Sequence, residues 1–526
     1  MPSMAPEVNI DSILALEKQI EEGLGDVIQL KRARNSLLNI STLMPPELLG
    51  QVFRWNVIPD YDFGELEKGC YNFLLVCHHW FEIASGTPEL WTYWGNTLKL
   101  WSQRYQRSGT APLDLILHAH RSTGDKTITP FDGPLRDALR DRVACDSIRS
   151  IHLRGRDTDL LHSIISSLTL DGGGIRDSSV ESLRLEHTSL DVSAFLTRYR
   201  FPRLRHLHLL TNARITSWDH LRIRAASLTT LSLGFAKTTT NPTTSQVLSI
   251  LASFPDLQDL LLYETTIPHD DGDGSAPRVS LHRLKKLELF GDCNRVFRLL
   301  DRLEHPDRMN FVHLHLSECA EDNLQEFLEP YLRDRIRRDG RFQDMLGMHV
   351  SYASSSITFG VNVLGEFDIP TTQPRNCLPS ILVSAVFRGG LSQGAGKKLC
   401  VNLIAVTPRD RVVKFTGGAS TRAIMDVFVT MPNIKDLYLI QSVVSDTFLQ
   451  QDPPSHAKSF PSLGHLCLDD FTLQDDDDWR SLIAYLTRQT SGGQVISLRL
   501  RGKHPPIPPE VVREIEGLVY KLISLV

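Results

Sequence analysis

Long apolar runs are missing from this 526-residue chain: no stretch approaches the ~20 apolar residues that a membrane-spanning helix requires. Near the N-terminus Glu7, Asp11, Glu17 and Lys18 interrupt the apolar residues, so no signal-peptide core is expected there. Paired cysteines are missing too. The eight cysteines (Cys70, Cys77, Cys145, Cys293, Cys319, Cys377, Cys400 and Cys467) stand singly, without zinc-like spacing or the density of a disulfide-stapled module. They read as reduced thiols, which sets the expectation of an intracellular protein of cytoplasm or nucleus, with no membrane partner. A third absence is positive charge. A formal net charge of −5 is the wrong sign for a chain whose task is to neutralise phosphates, so no nucleic-acid partner is expected. The remaining composition, 41% hydrophobic and 23% charged, is that of a folded chain. Its length exceeds one compact core, which leaves several domains or an elongated repeat array.

Signatures of catalysis are absent as well. There is no Gly-x-Ser-x-Gly elbow, zincin motif or kinase set. Gly394-Ala395-Gly396-Lys397-Lys398 fails as a phosphate loop, because Leu391 stands where the first Gly belongs and no Ser or Thr follows Lys397. His206-Leu207-His208 and His313-Leu314-His315 each place two histidines on one strand face, but no spacing completes a zinc ligand set. The acidic runs His269 to Gly274 and Asp475 to Asp478 lack calcium-loop spacing and read as solvated loops. The expectation is a non-enzyme with no catalytic residue, metal or cofactor.

What the chain does have is a repeated strand signal. An apolar position, two variable ones and then Leu-x-Leu recur at Ile148–Leu153, Val180–Leu185, Leu204–Leu209, Leu228–Leu233, Leu257–Leu262, Leu284–Leu289 and Phe311–Leu316. The pattern returns at Ile434–Leu439, Leu463–Leu468 and Val495–Leu500. Helical stretches at Leu160 to Leu168 and Val247 to Phe254 fill gaps between units, and Phe201-Pro202, Phe254-Pro255 and Phe460-Pro461 punctuate the approach to a strand. Successive units begin 24 to 32 residues apart. One strand and a returning segment fit that step, which mostly matches the ~20–29 residues of leucine-rich repeats stacked as a curved solenoid, or horseshoe. Between 317 and 436 the pattern fades, and apolar runs near Met345 to Val350, Ile357 to Val363, Ile381 to Phe387 and Leu399 to Val406 are the strand candidates. Arg333 to Arg338 reads as a charged helix with a solvated face.

Ahead of the repeats lies helical sequence. Residues 11 to 39 carry Ile13, Leu16, Ile20, Val27, Leu30 and Leu37 on a heptad-like seam, which defines an amphipathic helix over 1–40 that packs on its own protein or on a partner. Five of the seven tryptophans (Trp55, Trp80, Trp91, Trp94 and Trp101) then mark a compact unit. Pro45 and Pro46 suit a first helical turn, and Leu48, Leu49, Val52 and Phe53 form i,i+4 pairs. Phe73, Cys77, Trp80, Phe81 and Ala84 predict a second helix, and Leu90, Trp91, Trp94, Leu98, Trp101 and Tyr105 a third.

The run Leu43-Met44-Pro45-Pro46-Glu47-Leu48-Leu49-Gly50-Gln51-Val52-Phe53, then Phe73-Leu74-Leu75-Val76-Cys77-His78-His79-Trp80 and Glu89-Leu90-Trp91, resembles the F-box motif. Met44 stands where that family often has Leu, and the link over 56–70 is longer than usual. The flanking Lys31 to Leu38 and Ser108 to Leu113 are similar to the F-box proteins of mushroom-forming fungi. The resemblance implies an F-box-like helical domain over 41–108. It also implies that Pro45, Leu48, Leu49, Phe53, Val76 and Trp80 meet the S-phase-kinase-associated adaptor, which links such proteins to a cullin scaffold. As plain packing, most of these side chains fill a small three-helix core.

The expected fold is therefore α/β: a small all-helical F-box-like domain and a leucine-rich-repeat solenoid over 109–526, irregular at 317–436. In a Leu-x-Leu strand the leucines point to the core and the alternating residues to the opposite, concave face. That reasoning puts His152, Ser232, Leu261 and Cys467 on the concave row and selects Arg184, His208, Tyr263, Glu288, Phe290, His315, Tyr438 and Arg499 as contacts for an unidentified protein target. The corresponding function is the target-recognition subunit of a cullin-based ubiquitin ligase. The alternative is a leucine-rich scaffold whose F-box no longer recruits a ligase.

Overall fold

The structure is a computed structural model. It describes residues 10–21, 30, 33–34, 44–57, 72–95, 101–119, 147–155, 179–186, 192, 196, 201–211, 218–221, 227–235, 241–268, 277–320, 322, 324–339, 342, 346–353, 356–363, 381–387, 402–404, 407, 412–418, 431, 433–440, 462–469, 476–490, 496–501 and 507–525. It is a mixed α/β fold built on extensive parallel sheet and divided into two compact units, Met1–Ile215 with Ile223–Ser227, and Thr216–Arg222 with Leu228–Val526. No described helix is long and apolar enough to cross a membrane.

In the first unit, α1 spans Ile10–Glu21 (α1), and Leu30, Ala33 and Arg34 are helical; Val27 and Leu37 lie outside the described residues. Helix α2 (Pro46–Val57) begins with Pro at its first position and buries Leu49, Gly50, Phe53 and Val57, the i,i+4 face that the sequence predicts. The second predicted helix is broken. A 3-10 turn (Asn72–Leu75) comes first, and Cys77, extended at φ −160°, precedes α3 (His78–Ser85). This break turns Leu75 and Val76 outward while Phe73 stays in the core. The third predicted helix is replaced by a 3-10 turn (Pro88–Trp91), the strand β1 (Tyr93–Gly95) and α4 (Trp101–Ser108); Leu98 lies outside the described residues. Tyr93 and Trp94 are aromatic residues that suit a strand, and Trp94 sits in register with Leu115.

That pairing continues the helical head into parallel sheet within the same unit. β1, β2 (Leu113–Ala119), β3 (Ile148–Gly155), β4 (Ser182–Glu186) and β5 (His206–Thr211) run parallel, with Leu153, Leu185 and Leu209 aligned across the ladder and fully buried. Parallel neighbours require a returning segment between them, which the spacing of the units provides. The helix expected at Leu160 to Leu168 lies outside the described residues.

The second unit repeats this logic. β6 (Thr230–Phe235), β7 (Asp259–Leu262), β9 (Lys286–Asp292) and β11 (Phe311–Cys319) are parallel, with Leu231, Leu260, Leu287 and Val312 in register; β8 (Val279–Ser280) and β10 (Leu303–Glu304) pair apart from them. Returning helices close the layer. In α5 (Thr244–Ala252) Thr243 and Gln246 form a capping box, Gln246 N donating to Thr243 Oγ1 at 3.2 Å and Thr243 N to Gln246 Oε1 at 3.0 Å. α6 (Cys293–Arg302), capped by Asp292, buries Val296, Phe297, Leu299 and Leu300. α7 (Glu329–Arg338) is the charged helix, but Arg335 is buried in it and donates to the Pro306 carbonyl at 2.6 Å instead of facing solvent.

Between 317 and 436 the strands are β12 (Leu346–Ala353), β13 (Ser356–Val363), β14 (Ile381–Phe387) and β15 (Val412–Gly418). The run at Leu399 to Val406 is not a strand where described; residues 402–404 are helical. β14, not β12, pairs with β11, and β13 lies antiparallel between β14 and β12. Parallel order resumes with β15, β16 (Asp436–Ile440), β17 (His465–Asp469), β18 (Ser497–Arg501) and β19 (Lys521–Leu525), where Leu437, Leu466, Leu498 and Leu522 align. Asp476, Asp477 and Asp478, expected in a loop, begin α8 (Asp476–Thr490). α9 (Pro509–Leu518) precedes β19.

Candidate functional site

Two surfaces stand out, one in each unit. On the head, Leu49, Phe53, Val57, Phe73, Ala84, Leu90 and Trp91 form a closed core. Phe53 stacks on Phe73 with ring centroids 4.4 Å apart and meets Trp80 at 5.2 Å. Trp91 Nε1 donates to the Ala84 carbonyl at 2.8 Å, tying the 3-10 turn to α3. The six residues assigned to adaptor contact therefore divide. Leu49 and Phe53 are each 1% exposed and face their own core, and Trp80 packs against it. Pro45 is exposed, as are Leu48 at 50% and Val76 at 53%. Leu75, 85% exposed, and Phe81, 38% exposed, extend the apolar surface and were not singled out for it from sequence. The signal for Leu75 was available: Leu74, Leu75 and Val76 exceed what one helical face can bury.

The second surface is the face of the sheet opposite the leucines. Tyr263 just past β7 lies beside Phe290 of β9, which is in register with His315 of β11; Tyr263 stacks on Phe290 at 4.9 Å and Phe290 meets His315 at 5.6 Å. One row along, His313 lies edge-on to Phe290 at 5.0 Å and to Phe311 at 6.0 Å. Lys286 Nζ sits 5.5 Å from the Phe311 ring centroid and 2.7 Å from Glu288 Oε1, whose other oxygen is 3.5 Å from His313 Nδ1. Burial alone would raise the Glu288 pKa; hydrogen bonds from His313 and Lys286 overcome it and hold the carboxyl below its ordinary value. Burial, then the neighbouring His313, depresses His315. Tyr263, Glu288, Phe290 and His315 are thus brought together, half-buried, with His313, Phe311 and Lys286 completing the patch. Among the described residues no three His, Cys, Asp or Glu groups converge as a metal site requires.

The same face of the first unit is different. His152 is 3% exposed and Glu186 5%, where a solvated row was expected. Glu186 accepts from Arg184 Nε at 2.6 Å, and His152 Nε2 and Arg154 Nε lie 3.5 and 3.7 Å from its second oxygen. Burial would raise the Glu186 pKa, but His152 and Arg184 hold it at about 2. Burial, reinforced by the Arg184 charge, lowers His208 to about 4. In the second unit Ser232 and Cys467 are also buried, at 2% and 8%, so neither offers a contact surface. Tyr438, Cys467 and Arg499 share one register line, and burial, then Asp436, raises the Tyr438 phenol.

No protein-family model matches the chain, and no curated protein matches it significantly.

Proposed function

We propose that this chain is the target-recognition subunit of a cullin-based ubiquitin ligase. In this reading residues 41–108 are an F-box-type head that binds the S-phase-kinase-associated adaptor, and residues 109–526 are a leucine-rich solenoid of horseshoe type that holds a protein target. The chain performs no covalent chemistry itself and works in cytoplasm or nucleus, where the ligase acts. One observation carries the reading: Pro45, Leu48, Leu75, Val76 and Phe81 are exposed on a small domain whose own core is already closed. Support for the solenoid comes from the aligned, buried leucines of strands that keep a repeat step. The Tyr263–Phe290–His315 patch then serves as target contact, being rich in the aromatic types that dominate interfaces.

Burying a leucine contributes roughly 1.5–3 kcal/mol. Leu48→Asp combined with Leu75→Asp is therefore expected to weaken adaptor capture by roughly a hundredfold or more without unfolding the head, since neither side chain belongs to its core. Co-purification of the full chain with the purified adaptor checks this, alongside a melting curve. Equal capture by wild type and the folded double variant, or none by wild type, sinks the ligase reading.

A further inference from the structure

A cavity of about 400 Å³ opens in the first unit where α2 faces the start of the sheet, a volume in the range of small-ligand sites. Arg54 and Trp55 of α2, Glu89 of the 3-10 turn, Tyr93 of β1, Pro112 before β2 and Arg149 of β3 line it. None of these residues belongs to the apolar surface assigned to the adaptor or to the patch assigned to the target.

The cavity has a prepared cation. Asp114, 3% exposed, accepts from Arg149 Nε at 3.2 Å and from Nη2 at 2.5 Å, and Ser150 Oγ donates to the same carboxylate at 2.8 Å. A guanidinium held from behind by two bonds presents its remaining edge without losing rotamer freedom on binding. Tyr93 adds a phenol that burial, then the Asp114 charge, keeps protonated and so able to donate. Arg54 brings a second positive charge. Trp55 is 71% exposed and lies outside the head's core, which leaves a broad indole beside the opening with no packing role there. Charge decides the class of ligand. Arg54 and Arg149 are balanced by Asp114 and Glu89, which leaves no excess positive charge, so one carboxylate is held through directed hydrogen bonds from Arg149 and Tyr93 and a second negative charge on the ligand is opposed.

We propose that this cavity binds a carboxylate carried on a flat apolar body, the carboxylate against Arg149, Arg54 and Tyr93 and the flat part on Trp55. Two sources supply that chemistry, a free aromatic acid and an acidic side chain next to an aromatic one in a partner protein.

The test titrates the full chain with benzoate, benzamide, phenyl phosphate and N-acetyl-aspartyl-phenylalanine amide, read by saturation-transfer NMR. Benzoate or the dipeptide should bind saturably, benzamide at least about tenfold more weakly, and phenyl phosphate no more tightly than benzoate. Preference for the dipeptide identifies a protein source, preference for benzoate a free acid. Arg54→Gln and Tyr93→Phe should each weaken the acid several-fold, and Arg149→Gln about tenfold, with melting curves recorded for all three. Should Arg149→Gln unfold because Asp114 is left buried and unpaired, the other two variants decide. Absence of binding by both acids at millimolar concentration, or affinity unchanged in Arg54→Gln and Tyr93→Phe, overturns the site. Tighter binding of phenyl phosphate overturns the single-charge assignment.

Discussion

The row His152–Arg184–Glu186–His208 in the first unit and the row Tyr263–Glu288–Phe290–His315 in the second occupy equivalent places in the strand pattern, yet one is an ionic cluster around the buried His152 and Glu186 and the other a half-buried aromatic patch. Leu-x-Leu spacing dictates which side chains enter the core. It says nothing about how deeply the alternating side chains are covered. In the first unit they cover one another, because His152 and Arg154 of β3 and Arg184 of β4 converge on a single carboxylate; in the second, stacked rings stay half-buried.

The largest effects should not distinguish the rows. Leu209→Ala and Leu289→Ala each empty a fully buried site and should destabilise their units by about 2–5 kcal/mol in denaturant titrations. A clear inequality between them would mean that the two leucine layers are not equivalent.

The carboxylates separate the rows. Glu186 is held at about 2 against an ordinary 4.5, a difference on the order of 3 kcal/mol of stability, so Glu186→Gln should cost about that at neutral pH. Glu288→Gln, at a less buried site, should cost about 1 kcal/mol. Equal losses would erase the contrast.

Acid should weaken the first row more. His208 titrates near 4 in the folded chain and near 6.5 when unfolded, so as pH falls between those values the unfolded chain takes up a proton that the folded chain refuses. Stability is full above about 6.5 and declines toward 4; Glu186 adds a second decline from about 4.5 to 2. Melting temperatures from pH 7 to 4 should fall less steeply in His208→Asn; an unchanged slope would assign the upper window to other groups. The smallest effect belongs to Lys286→Gln, whose ion pair with Glu288 is 44% exposed on the lysine side and should be worth under about 1 kcal/mol in the same titrations.

Much of the architecture was legible because it follows from period. Leucines two apart with an apolar residue three before the first specify a strand and its inward face, and the described units obey that rule from Leu153 to Leu500. Two things were not. The reversal at Ser356–Val363 leaves no mark, since Ile357, Phe359 and Val361 alternate in the same way whichever direction the strand runs. The break at Cys77 hides in an apolar run compatible with helical spacing, and it is what turns Leu75 outward. The candidate patch was half legible: Phe290 and His315 follow from strand alternation, whereas the recruitment of Phe311 and Lys286 depends on register between strands that are distant in sequence. Burial of Glu186 involves His152 and Arg154 of the neighbouring strand, more than 30 residues earlier, which no local pattern encodes.

The reversed strand also constrains how the chain is made. Because β14 and not β12 lies beside β11, the edge of β11 waits open while the β12–β13 hairpin is synthesised. The wait is about 60 residues, on the order of several seconds at translation speeds of ~5–20 residues per second. For that interval a nascent chain presents an unpaired strand edge, a template for wrong partners. The edge at this junction therefore stays unpaired for longer than those of the regular ladders, whose units follow at steps of 24 to 32 residues.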